Sequence, residues 1–232
     1  MGFKSLINFM EKVRLNPYLL PHKGLRYLLS KVSLMAGNLD FSKPEEVEQL
    51  KKISNELYFL LEQHAHVEDH VILPDLEKKC PGSTEENHEE HEYLEGLVAN
   101  LQKQVNALQA GSSPQSFINY FFDLSDFHSK YLMHMLMEER KVLGMIWDHY
   151  TDEGLAEQHH TIVSSFTPEK ILRWFKFIIP ALNPSERLMA LGGIKANAPK
   201  EFFDMLMEVI QSEMETNSFS DLMESLEETS MA

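Results

Sequence analysis

Apolar residues recur at spacings of three and four along most of the chain, and no stretch alternates apolar and polar as a half-buried strand does. The pattern predicts an all-α protein. A first helix is expected from about Tyr18 to Ala36, closing at Gly37-Asn38, residue types that suit a left-handed C-terminal cap. Ser42 with Glu45, and Pro44 in the first turn, read as a capping box opening a second helix that reaches about Lys78 and breaks at Pro81-Gly82. Ser83 with Glu86 repeat the box ahead of a third helix that should stop at Gly111. Ser112, Ser113 and Pro114 then open a fourth, running to about Asp148. Short connectors make neighbouring helices antiparallel, so residues 1–150 are expected to form an up-down-up-down four-helix bundle. Residues 151–232 carry Thr167-Pro168, Asn183-Pro184 and Ala198-Pro199, each placed to open a short helix, and are expected to form a C-terminal helical module. The last fifteen residues, acidic and rich in Ser and Met, read as a short amphipathic helix or a frayed tail.

The apolar stripes show which side of each helix faces inward. His91, Leu94, Val98, Leu101, Val105 and Leu108 form one stripe; Leu50, Leu57, His64 and Val71 a second; Leu124, Phe127, Tyr131, His134, Glu138, Val142 and Met145 a third. Histidine and glutamate thus stand where a core residue is expected. A buried polar group with no partner costs roughly 1–3 kcal/mol, so these positions need compensation.

One pattern occurs twice: a lone histidine, then His-x-x-x-Glu about forty residues later. The copies are His22 with His64 and Glu68, and His91 with His134 and Glu138. At about 3.6 residues per turn, positions i and i+4 share a helix face, so each His-x-x-x-Glu directs an imidazole and a carboxylate at one point. The two pairs fall on diagonal helices, and the lone histidines complete a ring to which every helix contributes. Both hairpins place these residues some eighteen to twenty positions from their loop, roughly 27 Å or slightly more, so the depths agree. A two-metal site with six ligands follows. Nitrogen and carboxylate donors without cysteine suit iron, manganese or zinc, and a carboxylate can bridge two cations. Two iron ions are preferred, because open mixed coordination leaves room for an oxo or hydroxo bridge and for dioxygen.

The segments Pro21-His22-Lys23-Gly24-Leu25-Arg26, His64-Ala65-His66-Val67-Glu68 through Pro74, Glu90-His91-Glu92-Tyr93-Leu94 and His134-Met135-Leu136-Met137-Glu138-Glu139 resemble the four blocks of the hemerythrin-like, HHE cation-binding family. The resemblance covers about residues 15–148. It implies a non-haem di-iron centre that binds dioxygen or related small ligands, with His22, His64, Glu68, His91, His134 and Glu138 as iron ligands. Oxygen-carrying members have His-x-x-x-His on the third helix and His-x-x-x-x-Asp on the fourth. Here Asn87 stands four before His91, and Glu138 follows His134 at four, a pattern closer to the iron- and oxygen-sensing branch. The expected function is binding of dioxygen, or sensing of oxygen, nitric oxide or iron, rather than turnover; the alternative is a di-iron oxidase or peroxidase.

The remaining chemistry narrows this little. A net charge of −15 without a basic cluster argues against nucleic acid and anionic membranes as partners. A lone Cys80 forms no internal disulfide, and the start Met1-Gly2-Phe3 matches neither a secretory signal nor a myristoylation site, so a cytoplasmic location is expected. Two placements are open for His88, as a fifth histidine ligand or exposed to solvent. His66 and His70 should pair with surface carboxylates, His128 should be structural, and His149, His159 and His160 solvated. Glu85 to Glu92 read as a solvated face. Tyr131 could donate a hydrogen bond to a bound oxygen species. Residues 151–232 show no chemistry of their own and could cover the bundle, form a homodimer interface or receive a protein partner.

Overall fold

The computed structural model describes residues 14–231; the amino-terminal stretch read above for signals lies outside the described residues. The described residues are helical throughout, with no strand. The bundle comprises α1 (Leu19–Asn38), α2 (Pro44–Val67), α3 (Leu73–Lys79), α4 (Glu85–Ala107), α5 (Pro114–Met137) and α6 (Leu143–His149). α2 and α3 are one helix joined through a π-helical turn, Glu68–Ile72, and α5 and α6 are joined likewise through Glu138–Val142. α1 packs on α2 and α5, and α4 on the same two, so sequential helices are neighbours and the bundle runs up and down.

The punctuation differs locally from the sequence reading. Gly37 does not take the left-handed conformation; α1 ends on an extended Leu39. The small residue there instead admits the Phe121 ring, which a Cβ on Gly37 would meet at 3.2 Å. Neither expected capping box at Ser42 or Ser83 forms. Ser42 donates to Asp40, and Glu77 accepts from the Gly82 and Thr84 backbone N–H groups and from the Thr84 hydroxyl. Ser113 does cap α5, accepting from the Gln115 N–H. The turns before α4 and α5 use Gly82 and Gly111 at φ 81° and 83°, where glycine carries no steric penalty.

Both π-helical turns were absent from the sequence reading and shift the stripes. In each, an N–H bonds five residues back, Leu73 to the Glu68 carbonyl and Leu143 to that of Glu138. Pro74 has no N–H to give, and its ring crowds the preceding turn; Gly144 occupies the corresponding place in the other helix, where the backbone deforms most easily. The extra residue moves the buried face on by one. Ile72 is buried where Val71 was expected, and Ile146 where Met145 was.

Beyond the bundle lie α7 (Asp152–Ser164), α8 (Pro168–Ala181), α9 (Pro184–Asn197), α10 (Lys200–Gln211) and α11 (Thr216–Met231). α7 was not anticipated; Thr151 caps it. Thr167 caps α8, and Asn183 with Glu186 forms a complete capping box on α9. α8 lies along α1, where Ile178 sits over Gly24 so closely that a Cβ would come within 2.8 Å of its side chain. Trp174, Phe177, Ile178, Leu206 and Ile210 share one apolar core with Leu25, Leu28, Leu57 and Leu124 of the bundle. A second cluster, including Tyr18, Ile72, Leu73, Leu76, Val142, Leu143, Ile146 and Leu155, closes the end of the bundle opposite the 39–43 and 108–113 loops. No helix among the described residues is long and apolar enough to cross a membrane.

Candidate metal centre

His22, His64, Glu68, His91, His134 and Glu138 come together between the two apolar clusters, none more than 5% exposed. Their donor atoms fall into two tetrads, His22/His64/Glu68/Glu138 and Glu68/His91/His134/Glu138, each with all its atoms within 4.8 Å of one another. Both carboxylates belong to both tetrads, and each divides its oxygens between them. Glu68 puts Oε1 3.5 Å from His64 Nε2 and Oε2 3.4 Å from His91 Nε2. Glu138 puts Oε2 3.4 Å from His22 Nε2 and Oε1 3.2 Å from His134 Nε2.

The chemistry of this ring is incomplete within the protein. All four carboxylate oxygens, with His91 Nε2 and His134 Nε2, are buried without a hydrogen-bond partner. One such group is costly; six converging on one volume form a site that cations could satisfy. The donor set fits two of them: two imidazole nitrogens and two carboxylate oxygens for each, all hard or borderline ligands, with coordination positions left over.

A second layer of carboxylates orients the histidines. Asp69 accepts from His91 Nδ1 at 2.8 Å, Glu90 from His134 Nδ1 at 2.9 Å, and Glu139 from His22 Nδ1 at 2.9 Å. Arg26 in turn clamps Glu139 through both guanidinium nitrogens, at 2.5 and 3.0 Å. An outer carboxylate fixes the tautomer that presents Nε2 inward and raises its basicity. The acidic pairs Glu68-Asp69 and Glu138-Glu139 therefore divide their work, the first residue facing the centre and the second reaching a histidine of the neighbouring helix. Successive helical residues diverge by about 100°, which makes this division natural. The doubled acids were legible in the sequence but were not read this way, and Glu90 had been assigned to the solvated face.

Electrostatics agree with the geometry. Burial and the neighbouring Glu138 push the Glu68 carboxyl up. Glu138 is held below the usual carboxylate range, because His22, His91 and His134 outweigh its burial. Burial opposes charge on His91 too, yet Asp69, Glu138 and Glu68 raise it to about 12. His22 and His64 face each other, Nε2 to Nε2, at 2.9 Å. Against its burial His22 is raised by Glu138 and Glu139, while burial and the neighbouring His22 hold His64 well below the ordinary value.

His88 is half exposed, with Nδ1 3.2 Å from Asp69, and belongs to neither tetrad. His70 bonds the His66 carbonyl rather than a surface carboxylate, and the two rings lie 4.1 Å apart. His128 pairs with Ser33, as a structural residue would. Tyr131 packs on Phe127 and His134. Trp174 of α8 meets the His64 ring at 6.3 Å between centroids, a contact that no local pattern in α8 points to.

Residues 18–146 match the model of the hemerythrin HHE cation-binding domain. Among curated proteins, a BRUTUS-like zinc finger protein of Arabidopsis thaliana is 23% identical over 203 residues, covering 87% of this chain and 16% of that protein. The chain thus spans about a sixth of the length of that relative. No solved structure matches.

Proposed function

Because the chain belongs to the hemerythrin HHE cation-binding family, we propose that His22, His64, Glu68, His91, His134 and Glu138 bind a pair of iron ions, and that the protein binds dioxygen or senses oxygen, nitric oxide or iron. The observation that carries this is the sharing of both carboxylates between two tetrads of otherwise unpartnered donors. Iron bound there supplies reversible one-electron chemistry and open positions for a small ligand. The protein's own residues do the rest. Asp69, Glu90 and Glu139 hold three imidazoles in register, and the Ile72, Leu76, Val142 and Ile146 cluster keeps bulk water from that end of the bundle. α8 touches the centre through Trp174, which gives residues 151–232 a physical route by which ligand state could reach a partner or a second copy of the chain.

Anaerobic loading with ferrous iron, metal counting, and an optical spectrum after admission of air test the reading. Two irons and a stable oxidised or oxygenated spectrum are expected; one zinc, or no metal, would overturn it. Sustained loss of peroxide over many turnovers would move the protein to the oxidase or peroxidase class.

A further inference from the structure

Four residues before His91, where oxygen-carrying hemerythrins have a histidine, stands Asn87; four before His22, the matching place on the first helix is Tyr18. Tyr18 is completely buried, its ring 5.1 Å from that of His22, and its hydroxyl has no hydrogen-bond partner among the described residues. It belongs to the apolar cluster that roofs the centre. Tyr150, in the same cluster, shows what an ordinary buried tyrosine does there: its hydroxyl donates to Asp75 at 3.0 Å. Tyr18 has no such outlet. A buried phenol without a partner therefore stands close to carboxylates without partners, and the two do not bond to each other.

An orphan phenol within an apolar cluster is unfavourable unless something else brings the acceptor. We infer that Tyr18 marks the exogenous-ligand position of the centre, its hydroxyl donating a hydrogen bond to a small anion of two or three atoms held between the carboxylate and histidine ring and the apolar roof. The inference deepens the metal-centre reading and rests on it. Anions are the favoured class for two reasons. A pair of di- or trivalent cations outweighs the two negative charges of Glu68 and Glu138, and a donor among apolar neighbours strengthens with the charge of its acceptor. The roof residues Leu73, Leu76, Leu143 and Ile146 offer nothing further to bond, so large or multiply polar ligands are excluded.

Azide is the probe. Ferric-loaded protein and its Tyr18→Phe variant would be titrated with azide, following the charge-transfer absorption, with iron counted in both. The expected result is two irons in each protein and azide binding about tenfold to a hundredfold weaker in the variant, the loss that follows removal of one hydrogen bond to a charged acceptor. Equal azide affinity at equal iron content would overturn the assignment of Tyr18 alone. No iron in the unaltered chain would overturn the metal centre and this inference with it. The metal-free chain gives a second readout. Since the hydroxyl has no protein partner, Tyr18→Phe should leave the melting temperature unchanged or higher; a fall of about 2–4 °C, the mark of a lost internal hydrogen bond, would overturn the inference.

Discussion

The two halves of the centre contain the same ligands but have different covers. His91 and His134 each have a carboxylate on their outer nitrogen, Asp69 and Glu90, and their half adjoins an open acidic groove of about 760 Å³ lined by Asp69, Glu77, Glu85, His88, Glu89 and His91. In the other half Glu139, locked by Arg26, supports His22, while the residue matching Glu90 is Pro21, and His64 meets the Trp174 indole instead. One half therefore opens toward solvent through a groove of acids, and the other is covered by a helix from beyond the bundle. The two halves repeat the same residue types, and they differ in what surrounds them.

The largest change should come from what the halves share. Glu138→Ala removes an oxygen from both tetrads, so loss of the metal pair is expected on metal counting; two irons retained would refute the ligand assignment. Next come the outer carboxylates. Glu139→Gln should weaken metal binding in the His22 half by about ten- to a hundredfold, as outer-ligand losses typically do, and Glu90→Gln should do the same to the His134 half. Competition with a chelator, following the two ions separately, would show whether each change stays within its half. Gly24→Ala drives a methyl into Ile178 and its backbone, which should destabilise the fold by about 1–3 kcal/mol in denaturant melts. Because α8 carries Trp174, that change should disturb the His64 half and spare the other.

The smallest effects are those of pH, and they have opposite signs. In the cation-free chain His91 is raised from 6.5 to about 12, so its contribution to stability is complete below about pH 6.5 and drains away as pH climbs toward 12. Burial opposes the charge of Glu139, but His22 and Arg26 lower it from 4.5 to about 2, so its contribution is present above about pH 4.5 and is lost as pH falls through 2. Cations must displace the protons held on the ring, those of His91 and Glu68 among them. Metal uptake near neutrality should therefore release protons and tighten as pH rises, measurable by calorimetry in buffers of different ionisation enthalpy.

Helix order and the convergence of the six buried residues were legible in the sequence because spacing carries both: three-and-four periodicity for the helices, and two His-x-x-x-Glu pairs with matching lone histidines for the ring. The outer carboxylates were harder to see. A surface-looking glutamate such as Glu90 or Glu139 differs from its neighbours only by which helix lies beside it, and that is a tertiary fact. Trp174 was read as the apolar face of a separate segment, since nothing local in α8 refers to His64, more than a hundred residues away. The expected box at Ser42 failed because Asp40 takes both the Ser42 N–H and its hydroxyl, and the one at Ser83 because the Ser83 N–H bonds the Cys80 carbonyl while Glu77 ties down Gly82 and Thr84 on either side.

The π-helical turns also act as phase shifters. Upstream of Glu68 the inward face follows Leu50, Leu57 and His64; downstream it follows Ile72, Leu73 and Leu76, one residue out of step. That single added residue, about 100° of rotation, stacks the metal ring and the roof over Tyr18 on one axis. Were the turn to become regular α-helix with every residue kept, the roof residues of α3 would rotate away from the interior; removing Val71 as well brings Ile72, Leu73 and Leu76 back into the inward phase. A chain without Val71 should therefore still take up iron and keep a stable oxidised spectrum, and loss of either would show that the turn does more than set the phase.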